Sequence, residues 1–217
     1  MSGIFVTGTG TEVGKTVVAA VAARTLAADG KAVGVFKPCV TGIEEAGETD
    51  PELLRRASGS TQSDEQIAPY RYGPPVSPHL GAALAGEEIM PERLLAAAKA
   101  AAEGADAIVC EGVGGLLVPL AGDYLVRDLA TALGYPLVVA ASPGLGTINH
   151  TLLTLAAARD AGLGVAAVVL TPWPDEPSEI ERSNRETIER LGEVPVLSLP
   201  WLDLTAPQSW PQLRFSR

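Results

Sequence analysis

The chain has 217 residues, which is enough for one ordinary α/β domain and little more. Hydrophobic residues make up 47% of it and aromatic residues only 5%, which suits a parallel sheet covered on both faces by alanine-rich helices. The net charge of −10 and the pI near 4.7 disfavour nucleic acid and anionic membranes as partners. An anionic ligand must therefore meet positive charge that is placed locally.

Cysteine usage and hydropathy indicate the compartment. Cys39 and Cys110 are the only cysteines, and each lies beside an apolar run, so we expect buried reduced thiols rather than a disulfide. Gly8 and Lys15 interrupt the apolar start, so no signal peptide is predicted. No apolar stretch is long enough to span a bilayer without Gly or Pro. These features predict a cytoplasmic protein with no membrane partner.

Strand-like and helix-like segments alternate along the chain. The predicted strands are 4–7, 32–36, 107–110, 137–141, 165–170 and 194–199. The predicted helices are 15–28, 52–57, 91–103, 125–133, 148–161 and 178–191. This alternation predicts one α/β domain over residues 1–217, with a doubly wound, mostly parallel sheet, helices on both faces and right-handed crossovers.

Two segments interrupt this regular order. Residues 42–50 are polar and acidic and are predicted to form a loop. Residues 58–86 contain four prolines and are predicted to be irregular. A loop as long as the second one is usually functional or contains short helices of its own.

The strongest chemical signal is Gly-Thr-Gly-Thr-Glu-Val-Gly-Lys-Thr at residues 8–16, between the first strand and the first helix. Glycines let backbone N–H groups close around phosphate oxygens, and the helix N-terminus adds positive potential. Lys15 can reach the β- and γ-phosphates, and the Thr16 hydroxyl can hold Mg²⁺. Thr9 stands where the common pattern has its first Gly, so the loop is one residue longer. The segment predicts a P-loop NTPase fold that binds a nucleotide.

Charged residues at two strand ends indicate which kind of reaction the P-loop serves. Lys37 follows the second predicted strand and Glu111 follows the third. Because ligands of doubly wound sheets lie outside the carboxyl ends of the strands, both side chains should face the P-loop. Glu111 can hold Mg²⁺ as a Walker-B acid does. Asp50 has two open interpretations, a further Mg²⁺ ligand or the N-cap of the helix that follows it.

Six segments together resemble the dethiobiotin synthetase family in their order and spacing. They are 7–16, 37–42, 77–79, 111–115 with 119–120, 146–150, and 200–202. The resemblance implies a homodimeric enzyme that acts on 7,8-diaminopelargonate, CO2 and MgATP in biotin biosynthesis. In that family a substrate amine is carbamylated, the carbamate attacks the γ-phosphate of ATP, and the second amine closes the ureido ring with loss of phosphate.

The resemblance also implies roles for individual residues. Lys37 is the catalytic lysine that stabilises the carbamate and the developing phosphate charge, together with Lys15. The implied Mg²⁺ ligands are Thr16, Asp50 and Glu111, and the implied substrate contacts are Thr11, Thr41 and Asn149. The implied nucleotide-binding residues are Glu12, Val13, Gly14, Lys15, Thr16, Val17, Asp50, Glu111, Gly112, Val113, Gly114, Thr171, Pro172, Pro200, Trp201 and Leu202.

The base end of the implied site departs from the family pattern. Where the family usually has an Asn-Asp pair, this chain has Thr171-Pro172, which lacks the Asn amide and one backbone N–H. We therefore hypothesise relaxed base choice, with CTP or GTP accepted beside ATP. Trp173 is expected to pack over the sheet edge rather than stack on a base. No closing helix is expected in the proline-containing tail after Leu202.

Other classes of protein stay open at this point. A P-loop ATPase switch of the partitioning or assembly class usually has a second lysine early in the loop, where this chain has Thr9 and Gly10. A small-molecule kinase would have an arginine-rich lid, and no such segment is evident. His79 and His150 have no cysteine cluster beside them, so we expect neither a zinc site nor a direct catalytic role.

Overall fold

The computed structural model describes residues 2–44 and 47–215. Its strands are β1 (Ser2–Gly8), β2 (Val33–Phe36), β3 (Cys39–Thr41), β4 (Tyr70–Tyr72), β5 (Ala107–Gly115), β6 (Pro119–Ala121), β7 (Tyr124–Leu125), β8 (Leu137–Ala141), β9 (Val165–Trp173) and β10 (Val196–Pro200). Its helices are α1 (Lys15–Ala28), α2 (Asp50–Ser58), α3 (Asp64–Ile67), α4 (Pro78–Ala85), α5 (Pro91–Ala102), α6 (Val126–Leu133), α7 (Thr147–Asp160) and α8 (Glu179–Gly192). A 3₁₀ turn covers Pro207–Ser209.

Six strands form one parallel sheet in the order β10-β9-β8-β1-β5-β2. All five residues of β8 and all four of β2 are buried, as expected for a parallel sheet with both faces covered. Helices α1 and α2 contribute to the core on one face, and α5 and α6 contribute to the core on the other. The predicted doubly wound α/β fold is confirmed.

The strand order brings three distant segments together. Strand β5 pairs with β1 on one side and with β2 on the other, although it follows both in the chain. The P-loop follows β1, Lys37 follows β2, and Glu111 lies within β5. Because the strands are parallel, the P-loop, Lys37 and Glu111 all lie at the carboxyl edge of the sheet. The topology therefore builds one site from residues that are far apart in sequence.

The prediction that residues 58–86 are irregular is only partly correct. It contains α3, α4 and the three-residue strand β4, which pairs with β3 in a small parallel sheet through Cys39 and Tyr70. Ser63 caps α3 by accepting a hydrogen bond from the Gln66 N–H. Strands of three residues are too short to show a period-two pattern, which is why the sequence did not predict them.

Two strands are longer than predicted. Strand β5 extends to Gly115 because its ladder with β1 continues to Gly8. Strand β9 continues past Leu170 to Trp173, where it pairs with Pro200. Most helix ends lie within one residue of their predicted positions.

Three further predictions concern the segments outside the main sheet. In the described part of the tail after Leu202, only a 3₁₀ turn forms, as expected. Residues 45 and 46 of the predicted loop 42–50 lie outside the described residues. Among the described helices, none is long and apolar enough to cross a membrane.

Candidate functional site

The P-loop leaves β1 and ends at the first turn of α1. Gly14 precedes the helix with φ +82°, and its cap position has no side-chain hydrogen bond. The first N–H groups of α1 are therefore open to an anionic ligand. A Cβ at Gly14 would lie 2.5 Å from Thr171 Cγ2, so the loop packs closely against the end of β9. Glycine is required here both by the backbone angle and by this contact.

Lys15 folds back across its own loop. Its Nζ donates a hydrogen bond to the Gly10 carbonyl oxygen at 2.8 Å, and the residue is buried. Burial lowers the pKa of Lys15, the charge of Lys37 acts in the same direction, and Glu111 and Asp50 oppose them. The P-loop thus holds a desolvated ammonium where phosphate oxygens would be received.

Lys37 is held by two carboxylates. Its Nζ lies 2.5 Å from Glu111 Oε1 and 2.5 Å from Asp50 Oδ2. Lys37 is 4% exposed and Glu111 is fully buried. Burial acts to lower the pKa of Lys37, but the charges and hydrogen bonds of Glu111 and Asp50 outweigh it, so the pKa is raised. The raised pKa keeps this buried lysine in its charged ammonium form.

Thr16 connects the same two carboxylates to the P-loop. Its Oγ1 lies 3.0 Å from Asp50 Oδ1 and 2.9 Å from Glu111 Oε1. The other oxygen of Glu111, Oε2, is buried and meets no hydrogen-bond donor among the described residues. One hydroxyl and two carboxylates, one of them with a free buried oxygen, are suitable ligands for Mg²⁺ together with water and phosphate oxygens. The residues present therefore fit the metal that the sequence predicted.

Asp50 does not cap α2, so that interpretation is wrong. Thr49 is the N-cap residue, and the Glu52 carboxylate accepts the Thr49 N–H at 2.7 Å. Asp50 is the first helical residue, and its carboxylate faces Lys37 and Thr16 instead. Burial acts to raise the pKa of Asp50, but the charge and hydrogen bond of Lys37 outweigh burial, so the pKa is lowered.

The pKa of Glu111 shifts in the opposite direction. Burial raises it, and the charge of Lys37 offsets this effect only in part.

A cavity of about 410 Å³ lies over this network. It is lined by Thr11, Glu12, Gly14, Lys15, Thr16, Val17, Lys37, Cys39, Thr41, Asp50, Glu111, Val113 and Gly114. Most residues predicted for the phosphates, the metal and the substrate therefore meet at one place. A helix N-terminus and two ammonium groups provide positive charge here, although the chain as a whole is acidic.

Cys39 lines the cavity but was predicted only as a core residue. Its position between Lys37 and Thr41 was the signal that could have revealed it. Burial raises its pKa to about 12, so it is a protonated thiol. Cys39 and Cys110 are both buried and unpaired, which confirms the predicted reduced thiols.

Six predicted residues, on α7 and at the ends of β9 and β10, lie away from this cavity. Asn149 is exposed on the first turn of α7, and Thr171 is buried against Gly14. At the end of β10, Pro200 and Leu202 are partly exposed and Trp201 is 82% exposed. Pro172, the neighbour of Thr171, is exposed as well. The base end of the predicted nucleotide site is therefore an open surface near the ends of β9 and β10.

Trp173 is half-buried and packs against the apolar cluster that β8, β9, α7, α8 and β10 share. The Arg185 guanidinium lies 6.0 Å from its ring centroid. Within residues 2–44 and 47–215, no group of three or more His, Cys, Asp and Glu residues is arranged to hold a metal.

Comparison with known proteins identifies the family. A family model described as an AAA domain matches residues 2–209. The chain is 40% identical to the ATP-dependent dethiobiotin synthetase BioD of Bacillus subtilis (strain 168) over 92% of this chain and 87% of that protein. It is 44% identical to the protein of the same name from Anaeromyxobacter dehalogenans (strain 2CP-1 / ATCC BAA-258) over 93% of this chain and 91% of that one. The chain belongs to the ATP-dependent dethiobiotin synthetase family.

Membership of this family confirms the predicted enzyme class, an ATP-dependent ligase of biotin biosynthesis. Among solved structures, the chain is similar to the signal recognition particle receptor FtsY from Elizabethkingia anophelis, with a TM-score of 0.52 and 15% identity. That match covers 98% of this chain and 62% of the receptor chain. At this identity it shows a shared fold and nothing about the reaction.

Proposed function

We propose that this ligase forms the ureido ring of dethiobiotin from 7,8-diaminopelargonate and CO2, with MgATP as the phosphate donor. The observation that carries the proposal is the Lys37 ammonium, buried between Glu111 and Asp50 beside the P-loop. A P-loop alone would support many reactions. A second buried lysine at its mouth suits a reaction in which an anionic substrate group must approach the γ-phosphate.

The proposed reaction has three steps. One substrate amine attacks CO2 and loses a proton, which gives a carbamate. A carbamate oxygen then attacks the γ-phosphorus, ADP leaves, and a carbamic-phosphoric anhydride is formed. The second amine attacks the carbamoyl carbon, phosphate leaves with the C–O bond electrons, a proton is lost, and the five-membered ring closes. The carbamate is already a nucleophile, so the protein mainly positions groups and neutralises charge.

The side chains that line the cavity have different roles in these steps. Lys37 stabilises the carbamate and the charge that develops on the transferred phosphoryl group. Lys15 and the backbone N–H groups of residues 12–17 hold the β- and γ-phosphates. Thr11 and Thr41 line the cavity and contact the diamine or the carbamate.

Mg²⁺ would be held by Thr16, Asp50 and Glu111, whose oxygens converge beside the P-loop. When bound, the ion neutralises phosphate charge. Glu111 Oε2 supports this assignment, because a buried carboxylate oxygen without a donor is costly unless a cation meets it. The three side chains keep the metal-binding oxygens at the helix N-terminus that receives the phosphates.

The base of the nucleotide would lie along the open surface at Thr171, Pro172, Pro200, Trp201 and Leu202. Pro172 offers no backbone N–H, and the buried Thr171 side chain packs on Gly14. Neither residue offers the two-sided hydrogen bonding of an amide. We therefore propose that ATP is used with weak discrimination against CTP and GTP.

A second copy of the chain would complete the enzyme as a cytoplasmic homodimer in which each chain forms one domain. Asn149 and Leu153 lie four residues apart on one face of α7, and Leu145 precedes this helix in the loop from β8. Leu145 is 96% exposed and Leu153 is 61% exposed, and Asn149 is exposed between them. An apolar face of this kind is typical of a protein interface. It would place Asn149, a proposed substrate contact, close to the partner subunit.

The assay that tests the proposal supplies 7,8-diaminopelargonate, bicarbonate and MgATP and measures dethiobiotin together with released phosphate. We expect equal amounts of the two products, and neither product when the diamine is omitted. Diamine-independent phosphate release without dethiobiotin would instead support the ATPase-switch alternative. A phosphorylated small molecule without ring closure would support a kinase.

A further inference from the structure

The loop between β8 and α7, residues 142–146, leaves the sheet next to the P-loop. Strand β8 is the hydrogen-bonded neighbour of β1, and the Thr9 N–H in the P-loop donates to the Ala140 carbonyl at 3.0 Å. At its other end the loop leads directly into the first turn of α7, which carries Asn149. The backbone of this loop, together with the core packing of α7, therefore sets where Asn149 lies relative to the P-loop.

Pro143 of this loop is buried, but few contacts fix the backbone of residues 144–146. Gly146 precedes α7 with φ +92° and makes no side-chain cap. The side chain of Leu145 is 96% exposed and does not anchor the segment in the core. The Thr147 N–H reaches the Gly144 carbonyl at 3.3 Å, which is a long hydrogen bond. Residues 144–146 are therefore weakly held by contacts within the loop.

Asn184 on α8 holds this loop from outside. Its residue surface is 7% exposed, and its amide nitrogen donates to the Pro143 carbonyl at 2.9 Å and to the Gly144 carbonyl at 3.1 Å. Both amide hydrogens are used on two consecutive carbonyls. Among neutral side chains of this size, only an amide provides two hydrogens from one atom.

The packing of α8 against α7 does not depend on this amide. Leu152 and Leu155 of α7 and Ile188 of α8 share one apolar cluster. Asn184 lies one turn before Ile188, and its side chain reaches beyond the start of α7 to the loop. The amide therefore adds two hydrogen bonds to the loop backbone, which apolar packing does not provide.

We propose that Asn184 is a positioning residue for the diamine end of the site, which acts through the loop 142–146 on Asn149. This inference rests on the proposed function, because Asn149 is there assigned to the substrate. A displacement of about 1 Å in a substrate-positioning group can cost on the order of 10²-fold in rate. Since the P-loop is held separately by its own contacts, nucleotide binding should be affected much less.

The test uses the full chain with the substitutions Asn184→Ala, Asn149→Ala and the double variant. We expect Asn184→Ala to raise the KM for the diamine roughly tenfold, with the KM for ATP within about twofold of wild type. If Asn184 acts through Asn149, the double variant should be no worse than the poorer single variant. Ile188→Val, one turn away in the same apolar cluster, is the matched control and should leave both KM values unchanged.

Each alternative outcome decides the question. Additive effects in the double variant, or an unchanged diamine KM in Asn184→Ala, would overturn the positioning role. Asn184→Ser keeps a single donor and serves if the Ala variant does not fold, as judged by circular dichroism. If neither Asn184→Ala nor Asn184→Ser folds while Ile188→Val does, the role of Asn184 is purely structural and the positioning role is overturned. If wild type forms no dethiobiotin, the proposed function fails, and this is distinguishable from all these results.

Discussion

The two ends of the proposed nucleotide site differ in how firmly their side chains are held. At the phosphate end, the fully buried Glu111 carboxylate lies 2.5 Å from Lys37 Nζ and 2.9 Å from Thr16 Oγ1. At the base end, Trp201 is 82% exposed, and Pro172 lacks an N–H to offer. The proposed phosphate end thus has charged groups that hold one another in place. At the proposed base end, selection would depend on shape, which discriminates less than hydrogen bonding.

The largest expected effect comes from removing the central charge of the phosphate end. Lys37→Ala should lower turnover at least ~10³-fold, because a buried ammonium stabilises the transition state, while nucleotide still binds through the P-loop. Turnover is measured as dethiobiotin release, and nucleotide binding by calorimetry. Lys99→Ala, on an exposed position of α5, is the control. Unchanged turnover in Lys37→Ala would show that the two ends do not differ as described.

Changing the base should cost much less. We expect kcat/KM for CTP and GTP to lie within about 10²-fold of the value for ATP, because no amide reads the base edge. The measurement compares dethiobiotin formation with the four nucleoside triphosphates at equal concentration. Activity with ATP alone would contradict relaxed base choice and require a contact that reads adenine.

Gly14→Ala probes the contact between the two ends. Its Cβ would meet Thr171 Cγ2 at 2.5 Å at a backbone φ of +82°, and such strain costs about 1–3 kcal/mol. We expect a lower unfolding midpoint and nucleotide affinity reduced about tenfold or less. Gly10→Ala is the matched control for stability, because a Cβ there meets nothing within 4 Å. Equal unfolding midpoints for the two variants would show that the loop tolerates a side chain at Gly14.

The smallest effect concerns pH. The pKa of Asp50 is lowered in the folded protein, so the unfolded state binds its proton more tightly. Its contribution to stability is thus present above the ordinary value of about 3.9 and is lost as the pH falls through the lowered pKa. Glu111 has the opposite sign, because its pKa is raised. Asp50→Asn should therefore weaken the fall of the unfolding midpoint between about pH 5 and pH 3.

Thermal unfolding at several pH values measures this dependence. Asp29→Asn serves as the comparison, because Asp29 pairs with Arg214 on the surface and its pKa is also lowered. Added salt should reduce the effect of Asp29 more than that of Asp50, since the surface pair is screened. An Asp50→Asn protein with the pH dependence of wild type would contradict the coupling to Lys37.

The sequence predicted which residues meet beside the P-loop, because the signals for them are local. A Gly-rich turn before a helix, and charged residues at strand ends, have a physical meaning that does not depend on the rest of the chain. Asp50 was harder, because Thr49 and Asp50 are both good N-caps and only the structure shows which side chain closes the helix.

Other features depend on tertiary contacts that no local pattern contains. Asn184 looks like one of many polar residues on a charged helix, and its burial arises from a loop some forty residues earlier. The short strands β3 and β4 exist because they pair with each other. The position of β5 between β1 and β2 was likewise not predicted, although the convergence of their ends was.

That position of β5 has a consequence for how the protein folds during synthesis. Strands β1 and β2 are not neighbours, so neither can complete its hydrogen bonding until a strand that ends at Gly115 has left the ribosome. Glu111 is 74 residues from Lys37, which makes this a contact of high loop-closure entropy. Until then the nascent chain exposes two apolar strand edges, which are the segments a chaperone would be expected to protect.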